Sequence, residues 1–185
     1  MGTLLLETAG SSGPLDPLNI FFHVNLGQSF LIAGREAEAV NEAHRMRELD
    51  GNFFPGYFLQ GMVDMQRGNI KEAIPAVEKA HDLAPWAMPV VGTLAGILRR
   101  TGDLSRSAAV LQKLGDGTAY DASRGFLFYH LICSEIDQAA EWAGKAIEQR
   151  SPTMPWFLRL PMAKDLRSSS HWPKLAKMMN LPEAT

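Results

Sequence analysis

Apolar residues recur at helical spacing along most of this chain, and small residues recur with them at fixed positions. The pattern is sharpest over residues 54–85, FPGYFLQGMVDMQRGNIKEAIPAVEKAHDLAP. It predicts one helix closing at Gly68, a tight turn that profits from glycine's access to positive φ, and a second helix stopping before Pro85. Asn69 stands where it would cap that second helix, with Glu72 three residues later completing a capping box. Pro75 falls inside the same helix, where it removes the bond to the Lys71 carbonyl and predicts a bend in the first turns.

The neighbouring stretches read as weaker copies. Residues 20–53 carry Leu26, Gly27, Phe30, Gly34 and Ala39 at the corresponding places. Their second helix has an apolar face of Ala37, Ala39, Val40, Ala43 and Met46. Glu36, Glu38, Glu42 and Glu48, interleaved with Arg35, Arg45 and Arg47, read as its solvated side. Residues 88–118 carry Leu94, Ala95 and Gly102, with Asp103 as the N-cap of a helix running to Leu114 and Ser107 in the small position. Gly34, Gly68 and Gly102 are spaced by 34 residues each, and so are Ala39, Ala73 and Ser107. Two markers with one period argue for a helix–turn–helix repeat.

Residues 119–150 form a fourth unit out of register. Ser107 to Ala139 is 32 residues, Ser134 replaces the turn glycine, and the loop at 115–120 takes up the difference. Beyond Ser151, Pro152, Pro155, Pro161, Pro173 and Pro182 allow only short helices, the best of them Trp172–Met179. Trp156, Phe157, Leu160, Leu166, Trp172, Leu175 and Met178 are expected to seal the open end of the core. At the other end, Leu4, Leu5 and Leu6 precede a loop-like stretch, TAGSSGPLDP, in which Leu15, Asp16 and Pro17 read as the close of an earlier unit.

With Tyr57, Gly61, Gly68, Ala73, Ala80 and Pro85 at its marker positions, the stretch 54–85 resembles the tetratricopeptide repeat. The resemblance implies an all-α fold, a right-handed superhelix of antiparallel helix pairs with about four repeats. It divides the chain into an N-terminal segment at 1–18, the array at 19–150 (units 20–53, 54–87, 88–118 and 119–150) and a C-terminal cap at 151–185. The ending, DQAAEWAGKAIEQRSP followed by WFLRLPMAKDLRSSSHWPKLAKMMNLP, is similar to the C-terminal tetratricopeptide region of many bacterial multidomain regulators. There it follows a winged-helix, Ser/Thr kinase or adenylate cyclase domain. This sequence has no kinase glycine loop, no HRD or DFG run and no basic recognition helix. The expectation is therefore a non-catalytic interaction scaffold, the regulatory tail of a bacterial signalling or transcription protein.

Such arrays resemble one another in using the inner face of their first helices as a groove. Counting from the unit starts places Val24, Gln28, Phe58, Met62, Met65, Gln66, Arg99 and Arg100 on that face. The family's best-known groove holds a terminal carboxylate with a Lys/Asn/Lys/Arg set. Here the matching positions are Val24, Gln28, Phe58, Leu59 and Met62, so that clamp is absent. An apolar, methionine-containing floor suits a hydrophobic peptide or an amphipathic helix. Arg99 and Arg100 add a place for an acidic side chain at one edge. The alternatives are that residues 4–6 cover the apolar face, or that a second copy of the chain does, making a homodimer.

The totals narrow the classes. The 185 residues are 46% hydrophobic, enough for a sizeable core, and the net charge of -2 argues against nucleic acid as a partner. No window approaches the roughly 18 apolar residues of a membrane span. The N-terminus lacks the basic region of a signal peptide, so a soluble, cytoplasmic protein is expected. The single Cys133 forms no internal disulfide, and the five histidines show no metal-ligand spacing, so neither metal nor cofactor is expected. Cys133 and His130 are three apart, but no third group orients them and no nucleophile motif surrounds them, so no catalysis is expected there.

Overall fold

The computed structural model describes residues 19–151 and 153–181, and all regular structure among them is helical. The leucines at 4–6 and the turn at 15–17 lie outside the described residues. Four helix pairs follow in order: α1 (Ile20–Ile32) with α2 (Glu36–Leu49), α3 (Phe54–Gln66) with α4 (Ile70–Leu83), α5 (Met88–Arg100) with α6 (Leu104–Leu111), and α7 (Ala122–Ile132) with α8 (Ile136–Glu148). A 3₁₀ turn, Gln112–Leu114, completes the short α6. The tail folds as α9 (Met154–Phe157), a 3₁₀ turn at Pro161–Ala163, α10 (Lys164–Arg167) and α11 (Trp172–Met178). Turns of three residues within each pair leave no reach for anything but antiparallel packing.

One turn geometry serves all four pairs. The N–H groups of Arg35, Asn69, Asp103 and Glu135 each donate to a carbonyl five residues back, on Phe30, Asp64, Leu98 and His130, every time at 2.9 Å. That bond needs a left-handed residue just before the donor, supplied by Gly34 (φ 73°), Gly68 (φ 81°) and Gly102 (φ 91°). In the fourth pair Ser134 takes the position at φ 59°, where its Cβ crowds the following carbonyl. Ser134 is exposed, so nothing repays this. Ser134→Gly is expected to raise stability by about 0.5–1 kcal/mol in denaturant unfolding; a loss would mean that the serine makes a contact that outweighs the strain.

The small residue five positions after each of these turn residues is buried against the preceding helix: Ala39, Ala73, Ser107 and Ala139. Ser107 replaces alanine at little cost because its hydroxyl donates to the Ala95 carbonyl at 2.8 Å. Asp103 caps α6 as expected, accepting from the Arg106 N–H at 3.1 Å. The capping box at Asn69 and Glu72 does not form; the Asn69 side chain makes no capping bond. Its backbone N–H, which Glu72 would have to accept, is already given to Asp64. α4 runs unbroken through Pro75; Lys71 and Pro75 are both exposed, so the freed carbonyl can reach water.

Glu42 departs from the expectation of a solvated face. It is buried, with its Oε2 2.5 Å from Nδ1 of buried His23 on α1, and Arg45 at 3.5 Å from its other oxygen. Ala39, Glu42, Ala43 and Met46 are the buried set of α2, whereas Ala37 is exposed. The spacing i, i+3, i+4, i+7 carries Glu42 inward, and His23 supplies a hydrogen-bond partner for its buried carboxyl.

α5 and α7 lie unusually close. A Cβ on Gly92 would sit 1.8 Å from the Gly125 carbonyl oxygen, and one on Gly96 would meet Ile132 at 3.0 Å. Glycines at this crossing let two backbones touch, and α5 is buried along nearly its whole length as a result.

The tail does more than seal one end. α9, α10 and α11 pack against α8, and Met154, Leu158, Leu160, Leu166 and Leu175 are buried. Arg167 fixes the path of the segment by donating to the Leu158 and Leu160 carbonyls at 2.5 and 2.8 Å. From α9, the Trp156 indole N–H reaches back to α1 and donates to Gln28 Oε1 at 2.8 Å, across 128 positions of sequence.

Candidate functional site

The first helices of the pairs, α1, α3, α5 and α7, contribute the residues expected to line a groove. The middle of that face is filled by the chain itself. Phe58 on α3 stacks on Phe128 of α7 with ring centroids 6.4 Å apart, and Phe128 meets Phe157 of the tail edge-on at 5.5 Å. Phe58 and Met62 are only 8% and 5% exposed. Among the described residues, those at 154–163 lie over this face; residues 4–6 lie outside the described residues.

Two openings remain on either side of this column. The first, about 250 Å³, lies at the N-terminal ends of α3, α5 and α7 and is lined by Val24, Gln28, Phe54, the edge of Phe58, Trp86, Val90, Tyr120 and Arg124, with Phe157 behind them. Its rim is aromatic. Phe21 meets Phe53 edge-on at 5.7 Å, Phe53 neighbours Phe54 at 6.5 Å, and Phe54 meets Trp86 at 5.6 Å. Three of the exposed aromatics of the chain gather on this edge: Phe21 at 68%, Trp86 at 68% and Tyr120 at 94%. Arg124 is spoken for. It is paired with Asp121, bonded to Thr153 at 2.5 Å and laid over the Phe157 ring at 4.7 Å, so it holds the tail and adds little free charge.

The second opening, about 320 Å³, lies at the C-terminal ends of α3, α5 and α7 under residues 160–165. Met62, Met65, Gln66 and Arg100 line it, together with Leu131, Leu160, Met162 and Lys164. Seven of the eight expected residues therefore divide between two places, Val24, Gln28 and Phe58 at one opening and Met62, Met65, Gln66 and Arg100 at the other.

Arg99 lines neither. It turns toward α7, donating to the Tyr129 hydroxyl at 2.8 Å and to Glu135 at 2.7 Å. The hydrogen bond to Glu135 is the main reason its guanidinium is held more strongly protonated than usual. Burial opposes ionisation of Glu135, yet Arg99 and His130, the latter at 2.8 Å, keep that carboxyl below its ordinary range. Cys133 beside them is half-buried, and burial pushes its thiol up, leaving little thiolate at neutral pH.

Phe54, Trp86 and Tyr120 also line the first opening and are not among the expected groove residues, though the sequence carries a signal at this edge. Phe53 to Trp86 is 33 residues and Trp86 to Tyr120 is 34, so an aromatic recurs before successive pairs within one residue of the period of the turn glycines. Among the described residues no three His, Cys, Asp or Glu side chains converge as metal ligands would, and no helix is long and apolar enough to cross a membrane. A scan against protein-family models and a search among curated proteins both find no match for the chain.

Proposed function

We propose that this chain is a protein-interaction module of the tetratricopeptide type, and that its aromatic opening receives large apolar side chains from a hydrophobic peptide or an amphipathic helix. The observation that carries the reading is the combination at one edge of an apolar pocket of about 250 Å³ with Trp86 and Tyr120 largely exposed beside it. Clustered exposed aromatics are costly to leave in water and are the commonest anchors of protein interfaces. The repeat type is supported by the 34-residue spacing of the turn glycines and the identical turn bonds at all four pairs. Of the centre of the expected groove, Phe58 contributes to the wall of this opening, whereas Met62 faces the second one, and both are largely buried.

A random peptide library displayed on phage and panned on the full chain tests the reading. Selected peptides should carry aromatic or large aliphatic residues, and Trp86→Ala should weaken them by about 2 kcal/mol, roughly thirtyfold, as loss of an interface anchor does. Trp86 is exposed, so the variant should fold. Selection of purely polar peptides, or binding indifferent to Trp86→Ala, overturns it. The exposure of Phe21, Trp86 and Tyr120 on one edge would equally suit a second copy. Sedimentation at rising concentration separates the two, because a dimer dissolved by Trp86→Ala makes the edge a self-assembly surface.

A further inference from the structure

We infer that the second opening, under residues 160–165, is a separate binding site for an acidic peptide segment, one that offers a carboxylate beside an apolar side chain. It stands on residues distinct from the aromatic edge and does not rest on that edge binding anything.

Three features of the opening specify the ligand. Its wall is apolar and adaptable, formed by Leu131 together with Met62, Met65 and Met162, and the methionine thioethers accommodate varied shapes. Its mouth is cationic. Arg100 is exposed and, among the described residues, forms no ion pair or side-chain hydrogen bond; the same holds for Lys164. Asp165 stands on the same rim, so the mouth presents two positive charges against one negative in a chain whose net charge is -2. Finally, Gln66 Oε1 is buried with no hydrogen-bond partner among the described residues. A buried acceptor in that state is an unmet demand for a donor.

Each feature excludes something. A bare inorganic anion would satisfy the cations and leave the methionine wall wet. A fatty carboxylate would fill the wall and satisfy the cations but bring no N–H for Gln66. A peptide brings all three, with its backbone N–H to Gln66, an aspartate or glutamate to Arg100 and Lys164, and a leucine-like side chain between Met65 and Met162. Arg100 is the residue whose planar, fully charged donor fork suits a carboxylate best.

The methionines themselves report the outcome. The full chain, labelled with ¹³C at the methionine methyls, is titrated with an acetylated and amidated octapeptide of alternating leucine and glutamate. A second titration uses the same peptide with glutamine for glutamate. The Met62, Met65 and Met162 signals should shift saturably with the acidic peptide. The glutamine peptide should bind about tenfold more weakly or worse, and Arg100→Gln should cost a similar factor. Arg100 is exposed, so this variant keeps the fold. Binding should also weaken with added salt. Unmoved methyls, equal binding of both peptides, or indifference to Arg100→Gln overturns the inference. So does a result in which decanoate or sulfate moves these methyls and the acidic peptide does not. None of the three methionines lines the aromatic opening, so the experiment reads this site alone.

Discussion

Gly92→Ala is expected to destabilise the protein by about 3–5 kcal/mol, lowering the melting temperature by roughly 10 °C or more. A single methyl produces so large an effect because it meets backbone. The new Cβ would lie 1.8 Å from the Gly125 carbonyl oxygen and 2.6 Å from its carbonyl carbon. No rotamer change relieves a clash with main chain, so α5 and α7 must separate, and every contact along α5, buried for nearly its full length, loosens with them. Gly144→Ala in α8 is the matched control. Nothing lies within 4 Å of a Cβ there, so the better helix propensity of alanine should stabilise by about 0.5–1 kcal/mol. Thermal unfolding of both variants checks the pair. If Gly92→Ala is as benign as Gly144→Ala, the two helices do not touch through their backbones.

Phe128→Ala comes next, with an expected loss of about 3–5 kcal/mol. Phe128 is among the largest fully buried side chains and is the middle ring between Phe58 and Phe157. Its removal leaves a cavity bounded by three separate parts of the chain, α3, α7 and the tail, which cannot all close on it together. Equilibrium denaturation should show the loss, whereas Phe21→Ala, at an exposed ring on the aromatic edge, should cost well under 1 kcal/mol. A similar cost for the two substitutions would mean that the Phe58–Phe128–Phe157 column does not form.

The local structure was legible from the sequence because it rests on short-range rules. Turn glycines and small residues with one period mark three helix pairs, Ala139 marks a fourth two residues early, Asp103 marks the cap of α6, and the last helix begins at Trp172 as its proline-bounded stretch implies. Where a local rule failed, another local demand had displaced it, as at Asn69, whose N–H the preceding turn consumes. At Glu42 spacing outweighs charge: its i, i+3 relation to Ala39 points inward, and buried His23 on another helix partners the carboxyl there.

The candidate site was legible only in part, and for a different reason. Position within a unit says which side of a helix a residue occupies, and so collected Val24, Phe58, Met62 and Arg100 on one face. It does not say what returns from far along the chain to lie on that face. The contact of residues 154–163 with α1, α3 and α7 depends on how the successive pairs are stacked, a quantity that accumulates over the array and is written in no single spacing. Arg99 shows the same limit at smaller scale. Arg99 and Arg100 are adjacent, yet one is drawn to Tyr129 on α7 and Glu135 in the turn after it, and the other is left at the opening.

The hydrogen bond from Trp156 to Gln28 bears on how the chain acquires its structure. A row of helix pairs in which each touches only the next can fold from any point and fray from either end, since its contacts are local and its units nearly independent. Joining α1 to the tail closes a loop of 128 positions and makes residues far along the chain a condition for α1 to be fully packed. The loop entropy this closure costs is repaid only when both ends are in place. Unfolding is thereby pushed toward a single all-or-none step, and a nascent chain that has not yet released residues 154–163 still exposes the rings of Phe58 and Phe128.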